Sequence, residues 1–330
     1  IYWPIFLMSL DLPLPKQVFG HPWLLQGDGK MSKSKGNVIY ADELVDFFGV
    51  DAVRYFVLHE MPFENDGVIT WELMVERLNS ELANTLGNLV NRTISMSNKY
   101  FGGVVENKGV VEPVDEDLKA FALAVPGKVA EKMDKLRVAD AMTEVFTLFK
   151  RLNKYIDETM PWALAKDEAK KDRLATVLYN LVEGITMGAT LLESFMPETT
   201  ERILAQLNAD KRTLEDLKTF GLYPSGNKVT EKPEILFARL DLKEVLAKVE
   251  ELHPKKEEPV EEAKEENVID IEAKPEITFD DFGKLQFQVG EIIACEEVKK
   301  SRKLLCSQVK IGSQVRQIVS GIKSHYSAEE

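Results

Sequence analysis

Apolar residues at helical spacing run through the middle of the chain, and this pattern constrains the fold more than any other feature. Six leucines and isoleucines between positions 73 and 94 recur every three to five residues, which is typical of an amphipathic helix. The same spacing returns over 138–156, and Pro126 predicts a kink in the helix between these two. Pro161 and Pro197 suit the first turns of two further helices. The pattern predicts an antiparallel all-α bundle over residues 65–252.

The residues before this bundle predict smaller elements. The apolar run 1–8 is expected to be buried, and residues 17–19 are expected to form a short strand. Gly49 is expected to end one helix, while Asp51 and Thr70 are candidate N-caps of later helices. These signals predict a separate N-terminal portion over residues 1–64.

Composition excludes several function classes. The chain has 330 residues and a formal net charge of −13, which allows two or three domains and argues against simple nonspecific nucleic-acid binding. Cys295 and Cys306 are too far apart for a metal clip, and neither a zinc set nor a disulfide framework is visible, which fits a reducing cytoplasm. No apolar run approaches membrane-spanning length, so no membrane partner is expected, and no secretory signal is visible. The first residue is Ile rather than Met, and we therefore expect the natural N-terminus to lie upstream.

Charge sets residues 253–275 apart from the rest of the chain. The segment is mostly Glu, Lys, Pro and Ala, with ten acids and four bases between positions 250 and 275. It cannot bury enough apolar surface to offset its chain entropy, which predicts an acidic, disordered linker. An acidic docking tail is the alternative. Beyond it, residues 276–330 carry predicted strands at 285–293, 307–311 and 315–319.

The stretch from Gly27 to Asn37 has the composition of a phosphate-binding loop. It places three lysines, two serines and three glycines in eleven residues. Glycine permits close backbone approach, lysine supplies a compact movable charge, and serine hydroxyls bond to oxyanions. This combination suits a polyphosphate whose charge must be held while a bond breaks. A solvated basic turn is the alternative.

This stretch resembles the KMSKS loop of the class I aminoacyl-tRNA synthetases, through the string Lys30-Met31-Ser32-Lys33-Ser34. Its surroundings are similar to the methionyl-tRNA synthetases in particular, because Trp3-Pro4, Gly20-His21 and the segment Asp51–Tyr55 follow that family's order. The family activates methionine with ATP and Mg²⁺ to methionyl-adenylate, releases pyrophosphate and then esterifies tRNA. The resemblance implies that residues 1–64 are the end of a Rossmann-like α/β catalytic domain.

The resemblance also implies roles for single residues of this portion. Lys30 and Lys33 would be catalytic, because they would hold the phosphates as charge builds on the leaving pyrophosphate. Trp3 would lie near the methionine pocket. The implied ATP-binding set is Lys30, Met31, Ser32, Lys33, Ser34 and His21.

One departure from the family pattern is large. Class I synthetases also need a His-Ile-Gly-His-like motif, and nothing like it occurs in this chain. The family's zinc-binding insert would likewise lie upstream, so any zinc is expected there. We therefore expect a C-terminal fragment that cannot form the adenylate by itself.

Two features of the predicted bundle could read RNA. Asn88 and Arg92 are four residues apart and share a helical face, and an amide with a guanidinium can read a base edge and a phosphate. Trp162 follows Pro161 at a helix start, where an indole could stack on an unpaired base. Taken alone, a solvated helix face and a core tryptophan are the alternatives. The methionyl-tRNA synthetases carry a similar Asn-x-x-x-Arg and Pro-Trp, which implies recognition of the anticodon of tRNA(Met) and initiator tRNA by Asn88, Arg92 and Trp162.

The last segment resembles the tRNA-binding OB-fold of bacterial methionyl-tRNA synthetases. Matching points are Asp281-Phe282-x-Lys284, Val289-Gly290-x-Ile292 and Ser320-Gly321-Ile322. The resemblance implies a truncated OB-fold domain that adds tRNA affinity and, in the full protein, a homodimer contact. A local basic cluster is a candidate tRNA contact, with a solvated β-turn as the alternative; it comprises Lys299, Lys300, Arg302 and Lys303.

The expected fold class is therefore multidomain. It consists of the end of an α/β catalytic domain, an all-α anticodon-binding bundle, a linker and a partial OB-fold β-barrel. The expected function is methionine–tRNA ligase in the cytoplasm. Another class I synthetase, or a non-catalytic tRNA-binding protein, is the alternative.

Overall fold

The computed structural model describes residues 1–27, 29–32, 37–62, 65–253, 278–299 and 301–329. The chain divides into two compact units, Ile1–Lys256 and Glu257–Glu330. Lys33, Ser34 and Lys300, three of the predicted site residues, lie outside the described residues. The predicted disordered linker lies outside them too, apart from His253.

The first unit begins with a small mixed sheet and three helices. Strand β1 pairs antiparallel with β2 and parallel with β3, which gives the order β2-β1-β3. Gly49 ends α2 with a positive φ of 82°, and α3 follows at once. The elements are α1 (Tyr2–Ser9), β1 (Leu24–Gln26), β2 (Gly29–Lys30), α2 (Ala41–Phe48), α3 (Val50–Glu60) and β3 (Gly67–Ile69).

Three expectations for this portion are wrong. The apolar run 1–8 forms α1 but buries none of its residues, and Trp3 is 76% exposed, because apolar composition alone does not supply a packing partner. Residues 17–19 form no strand; the strand lies at β1, where two neighbouring strands satisfy its backbone. Asp51 is the second residue of α3 rather than its N-cap, and its carboxylate bonds to a distant helix.

A helical stretch runs from Trp71 to Phe101, as the spacing predicts. The Thr70 hydroxyl caps it by accepting the Leu73 N–H at 3.1 Å, and Gly102 ends it in the left-handed conformation with φ 59°. Its middle is not α-helical: α4 (Trp71–Arg77) passes into a π-helix (Leu78–Gly87) before α5 (Asn88–Phe101). The sequence analysis missed this wider turn.

The rest of the unit is the predicted helical bundle. Met160 takes a positive φ of 45°, so that α7 ends and Pro161 starts a new helix in its first turn. Pro126 lies inside α6, at the predicted kink position. The remaining helices are α6 (Pro113–Asp134), α7 (Val138–Thr159), α8 (Pro161–Leu164), α9 (Lys171–Leu192), α10 (Pro197–Leu207) and α11 (Leu242–Leu252).

Helix α9 is the centre of the bundle. All its residues from Arg173 to Leu192 are buried. With the short 3₁₀ turn before it, this helix is long and apolar enough to span a membrane, yet its apolar window is wholly covered by the bundle, as in a core helix. Gly184 and Gly188 lie directly against Leu152 and Phe149 of α7, where a Cβ would collide with both side chains. The two glycines therefore set the close approach of α7 and α9.

A buried carboxylate fixes the start of α6 to the bundle. Asp115 is fully buried and closes a capping box with Glu112 at the first turn of α6. It also accepts hydrogen bonds from Arg173 at 2.8 and 3.1 Å, from Asn180 at 3.2 Å and from the Tyr155 hydroxyl. The charge is thus paired and hydrogen-bonded, which is the condition for burying it.

The second unit contains a short helix and a three-stranded antiparallel sheet in the order β4-β5-β6. The first strand starts at Glu291 rather than at the predicted position 285. It follows Gly290, where a Cβ would collide with the Val309 side chain and crowd that of Ile311. The other two strands confirm the prediction within two residues. The elements are α12 (Phe279–Phe282), β4 (Glu291–Glu297), β5 (Leu305–Ile311) and β6 (Gln314–Ser320).

Candidate functional site

Lys30 lies at the end of the β1–β2 hairpin. Gly27 makes the turn with a positive φ of 59°, and Leu25 pairs with Lys30 across the two strands. The Lys30 ammonium lies 4.0 Å from the centroid of the Trp23 ring, a cation–π contact that holds the charge in place at an exposed site. The backbone of Trp23 is held on both sides. Its amide N–H donates to the Asp66 carboxylate at 2.9 Å, and its carbonyl accepts the Gly67 N–H at 2.9 Å.

Asn37 closes the base of the loop that follows Lys30. Its side-chain oxygen accepts the Ser32 N–H at 2.8 Å, and its amide nitrogen donates to the Lys30 carbonyl at 3.4 Å. Met31 is half-buried and packs against the hydrophobic core, so its side chain anchors the loop. The asparagine thus holds the two described ends of the segment together. Lys33 and Ser34 lie between these ends, outside the described residues.

The other two residues that the resemblance assigns to this portion are exposed. His21 precedes Trp23 by two positions, and its Nδ1 lies 2.9 Å from the Pro22 carbonyl. Trp3 lies on α1 with its ring edge-on to Phe6, 6.3 Å between centroids. Within the part of the chain that the structure describes, no three His, Cys, Asp or Glu side chains converge as a metal-binding group.

Asn88 and Arg92 are both exposed and lie in the first two turns of α5. The Asn88 amide nitrogen donates to the side-chain oxygen of Asn84 at 3.2 Å, and the Arg239 guanidinium donates to the same oxygen. The Asn88 amide is therefore oriented, with its own oxygen left facing away from this contact. The sequence analysis missed Asn84 as a supporting residue, although its position one helical turn before Asn88 was a usable signal.

Trp162 is the second residue of α8, one position after Pro161. Its side chain is 42% exposed, so the alternative of a core tryptophan is wrong. A half-exposed indole has accessible aromatic surface on which an unpaired base could stack. Helix α9 packs against both α5 and α8, which carry the predicted RNA-reading residues.

The described members of the basic cluster lie in the second unit, in the connection between β4 and β5. Lys299, Arg302 and Lys303 are exposed. The Ser301 hydroxyl accepts the N–H groups of Lys303 and Leu304, both at 3.2 Å, and so shapes a turn. The geometry suits a solvated turn and a phosphate contact equally.

Three family models match successive parts of the chain. The class I tRNA synthetase model of the methionine type covers residues 1–94, the anticodon-binding domain of methionyl-tRNA ligase covers residues 107–252, and a tRNA-binding domain covers residues 287–330. A methionine–tRNA ligase from Clostridium perfringens is 49% identical over 330 residues, which is all of this chain and 50% of that protein. The chain belongs to the methionyl-tRNA synthetase family.

Other members of the methionyl-tRNA synthetase family give the same picture. The methionine–tRNA ligase of Bacillus subtilis is 45% identical over 334 residues, covering all of this chain and 50% of the relative. A solved methionyl-tRNA synthetase of Mycobacterium tuberculosis in complex with methionyl-adenylate superposes with a TM-score of 0.66 at 35% identity, over 72% of this chain and 47% of that one. The chain spans about half the length of the curated relatives it matches.

The family models divide the predicted site residues in an unexpected way. Lys30, Asn88 and Arg92 fall within the stretch matched by the class I synthetase model, whereas Trp162 falls within the anticodon-binding model. The residues predicted to read RNA therefore fall in two family models. The helices that carry them, α5 and α8, both pack against α9.

Proposed function

We propose that this chain is the ATP-loop and tRNA-reading part of a methionine–tRNA ligase. The reaction class is EC 6.1.1.10: ATP-dependent activation of methionine, followed by transfer to tRNA(Met) and initiator tRNA. The observation that carries the proposal is the Lys30 ammonium held over Trp23 at the end of a hairpin whose loop is closed by Asn37. This arrangement keeps a positive charge ready for a phosphate without enclosing it.

In the first step, a carboxylate oxygen of methionine attacks the α-phosphorus of ATP. The bond between that phosphorus and the bridging oxygen breaks, and pyrophosphate leaves with the electron pair. Lys30 and Lys33 stabilise the charge that grows on the departing group, an effect worth about 3 kcal/mol for one preorganised partner. Met31 and Asn37 hold the loop so that this charge does not have to be positioned during the reaction.

The proposal includes Mg²⁺ bound to the phosphates of ATP. Mg²⁺ is usually held by one or two carboxylates together with substrate phosphates rather than by a protein cage. The metal would neutralise phosphate charge, and any zinc would be held by parts of the enzyme beyond this chain.

The second step needs the right RNA, and we assign its recognition to Asn88, Arg92 and Trp162. Asn88 is oriented through Asn84, Arg92 offers a fork of donors one turn further along α5, and Trp162 offers a stacking face. Lys299, Lys300, Arg302 and Lys303 would add sequence-independent contacts to tRNA phosphates. The end of the catalytic domain would then be residues 1–64, and the anticodon-binding domain would be residues 65–252. The linker would be residues 253–275, and the OB-fold segment would be residues 276–330. A cytoplasmic homodimer, joined through the OB-fold segment, completes the proposal.

The test uses the full-length enzyme that carries this chain. ATP–pyrophosphate exchange is measured with methionine and, as matched controls, with leucine, isoleucine and valine. We expect exchange with methionine and aminoacylation of tRNA(Met). Faster exchange with leucine, isoleucine or valine than with methionine would assign the chain to another class I synthetase and contradict the proposal.

The chain by itself allows a second test. Since the chain spans about half the length of its relatives, it should bind tRNA(Met) but give no ATP–pyrophosphate exchange. Detectable exchange by the isolated chain would contradict the assignment of the missing catalytic motif to the rest of the enzyme.

A further inference from the structure

Two side chains of α3 hold the turn between α9 and α10. The Asp51 carboxylate accepts the Thr199 N–H at 2.6 Å. One helical turn later, Arg54 donates through Nε to the Phe195 carbonyl at 2.8 Å and through Nη2 to the Ser194 carbonyl at 2.9 Å. We call Asp51 and Arg54 the α3 clamp.

The Asp51 carboxylate lies between the N-termini of two helices. Asp51 is the second residue of α3, while Thr199 is the third residue of α10, whose own N-cap, Met196, provides no side-chain hydrogen bond. Both helix ends favour a negative charge. Asp51 is only 5% exposed, and its Oδ1 has no hydrogen-bond partner among the described residues. A charge buried in this way ties the position of α3 to that of α10.

The clamp joins the two candidate sites through packed elements. On one side, α3 follows α2, which starts four residues after Asn37, the residue that closes the Lys30 loop. On the other side, α9 packs against α5, α7 and α8. Helix α5 carries Asn88 and Arg92, and α8, which follows α7, carries Trp162. Tyr55 of α3 also packs on Phe146 of α7, with ring centroids 5.0 Å apart. The position of α3 is therefore linked to the positions of the bundle helices that it contacts.

We propose that Asp51 and Arg54 are positioning residues that couple anticodon binding in the bundle to the placement of the catalytic portion, residues 1–64, during aminoacyl transfer. The proposal rests on the proposed function, because it needs both a catalytic portion and an anticodon site. Neither residue contacts a substrate; each acts by fixing α3 against the α9–α10 turn. Loss of the clamp then lowers the rate of transfer once tRNA is bound, and leaves both adenylate formation and tRNA affinity in place.

The experiment compares two arginines of the full-length enzyme that make similar contacts. Arg54→Ala removes two donations to consecutive backbone carbonyls of the clamp. Arg202→Ala, on the far side of the clamp in α10, removes two donations to the consecutive carbonyls of Ile235 and Leu236 together with an ion pair to Glu234. Methionine-dependent ATP–pyrophosphate exchange, and kcat and KM for aminoacylation, are measured for parent and variants with tRNA(Met) and with a copy whose anticodon is changed.

For Arg54→Ala we expect exchange within about twofold of the parent. The kcat of aminoacylation falls about 2- to 30-fold, the range for residues that carry coupling between sites, while KM for tRNA is unchanged. A changed anticodon lowers the kcat of Arg54→Ala less than it lowers the kcat of the parent, because the coupling between the anticodon site and the catalytic portion is already weakened. Arg202→Ala behaves as the parent in all three measurements.

Several results would overturn the proposal. An unchanged kcat in Arg54→Ala, an equal fall in exchange and aminoacylation, or undiminished anticodon discrimination would each reduce the clamp to a structural contact. Should Arg54→Ala fail to fold, Arg54→Lys keeps the charge but replaces the guanidinium fork with a single donor nitrogen. It must then show unchanged exchange together with a lowered kcat of aminoacylation. A parent enzyme without methionine-dependent exchange would instead contradict the proposed function itself.

Discussion

Lys30 differs from an ordinary surface lysine in being held at a fixed place while it stays exposed. Its ammonium lies 4.0 Å from the centre of the Trp23 ring, and the backbone of Trp23 is bonded on both sides to the Asp66–Gly67 corner. An exposed cation–π contact is worth about 0.5–1 kcal/mol, which is enough to bias the side chain and weak enough to release it to a phosphate. On the proposed function, Trp23 would hold the Lys30 charge in place until a phosphate binds.

Trp162 gives the residue-scale prediction. Trp162→Ala should weaken binding of tRNA(Met) by about 1–3 kcal/mol, because the stacking face is lost. The side chain is 42% exposed, so the free energy of unfolding should change little. Filter binding or fluorescence anisotropy with the isolated chain measures the affinity, and denaturant unfolding supplies the stability.

The control for this change is Trp162→Phe, which keeps a smaller aromatic face. We expect it to retain most of the affinity. Equal binding by the Ala variant and the parent would remove Trp162 from the RNA interface.

How much of the site the sequence could predict depends on the range of the contacts. The Lys30 loop and the position of Trp162 after Pro161 follow from local strings and could be predicted. The function of Asp51 could not, because its partner Thr199 is 148 residues away and a helix start with Asp is ordinarily a local cap. Asn84 was missed for a similar reason, since its second partner is Arg239. Long-range hydrogen bonds leave no periodic pattern in the sequence.

At the scale of elements, the π-helix Leu78–Gly87 shows the same limit. Its leucines at positions 78, 82 and 86 follow ordinary α-helical spacing, so the sequence predicts an α-helix. The wider turn coincides with tertiary bonds: Asn79 donates to the Leu240 carbonyl at 2.9 Å and accepts the Leu240 N–H at 3.0 Å. The segment ends immediately before Asn88, one of the residues proposed to read RNA.

Glu183 connects α9 to the segment that follows α10, and it gives the first element-scale prediction. It is fully buried and accepts hydrogen bonds from both terminal nitrogens of Arg212 at 2.8 and 2.7 Å and from the N–H groups of Gly221 and Tyr223. Glu183→Gln turns an acceptor into a donor toward these groups and leaves Arg212 unpaired. We expect a loss of about 3–5 kcal/mol of unfolding free energy, measured by urea denaturation of the chain.

The matched control lies in the same segment. Glu215→Gln removes an exposed partner of Lys218 and should leave the unfolding free energy unchanged. A Glu183→Gln variant as stable as Glu215→Gln would show that the buried carboxylate does not hold this segment.

Alkaline pH should loosen the same region. Burial, with the nearby Glu183 charge, raises the pKa of Tyr179 to about 12, and burial together with Tyr179 raises the pKa of Tyr223 to about 12. Both hydroxyls donate to backbone carbonyls, at 2.8 and 2.7 Å, and can do so only while protonated. In the unfolded chain a tyrosine has a pKa near 10, so the unfolded state releases protons first as pH rises.

The stabilisation from these tyrosines is therefore complete below about pH 10 and is lost as pH rises toward about 12. Unfolding free energies measured from pH 8 to 12 should fall in this interval. Tyr223→Phe should show a shallower fall, because one of the titrating groups is gone. Identical slopes for parent and variant would contradict this assignment.

At the scale of the whole molecule, the proposal separates two tasks along one chain. In this proposal the Lys30 loop would bind the phosphates of ATP, the helices around α9 would bind the anticodon, and the α3 clamp would couple the anticodon site to the catalytic portion. The basic turn of the second unit would add affinity that does not depend on sequence. Since the chain spans about half the length of its relatives, the separation of the two tasks is tested in the full-length enzyme.

The separation of tasks is measured most directly by running two assays on three variants of the full-length enzyme. Lys30→Ala should lower methionine-dependent ATP–pyrophosphate exchange about 100- to 1000-fold, while Lys16→Ala, at an exposed lysine of the same portion, leaves it unchanged. Trp162→Ala should keep the exchange and lower only the aminoacylation of tRNA(Met). Exchange at the parental rate in Lys30→Ala, or an equal loss in both assays for Trp162→Ala, would contradict the account.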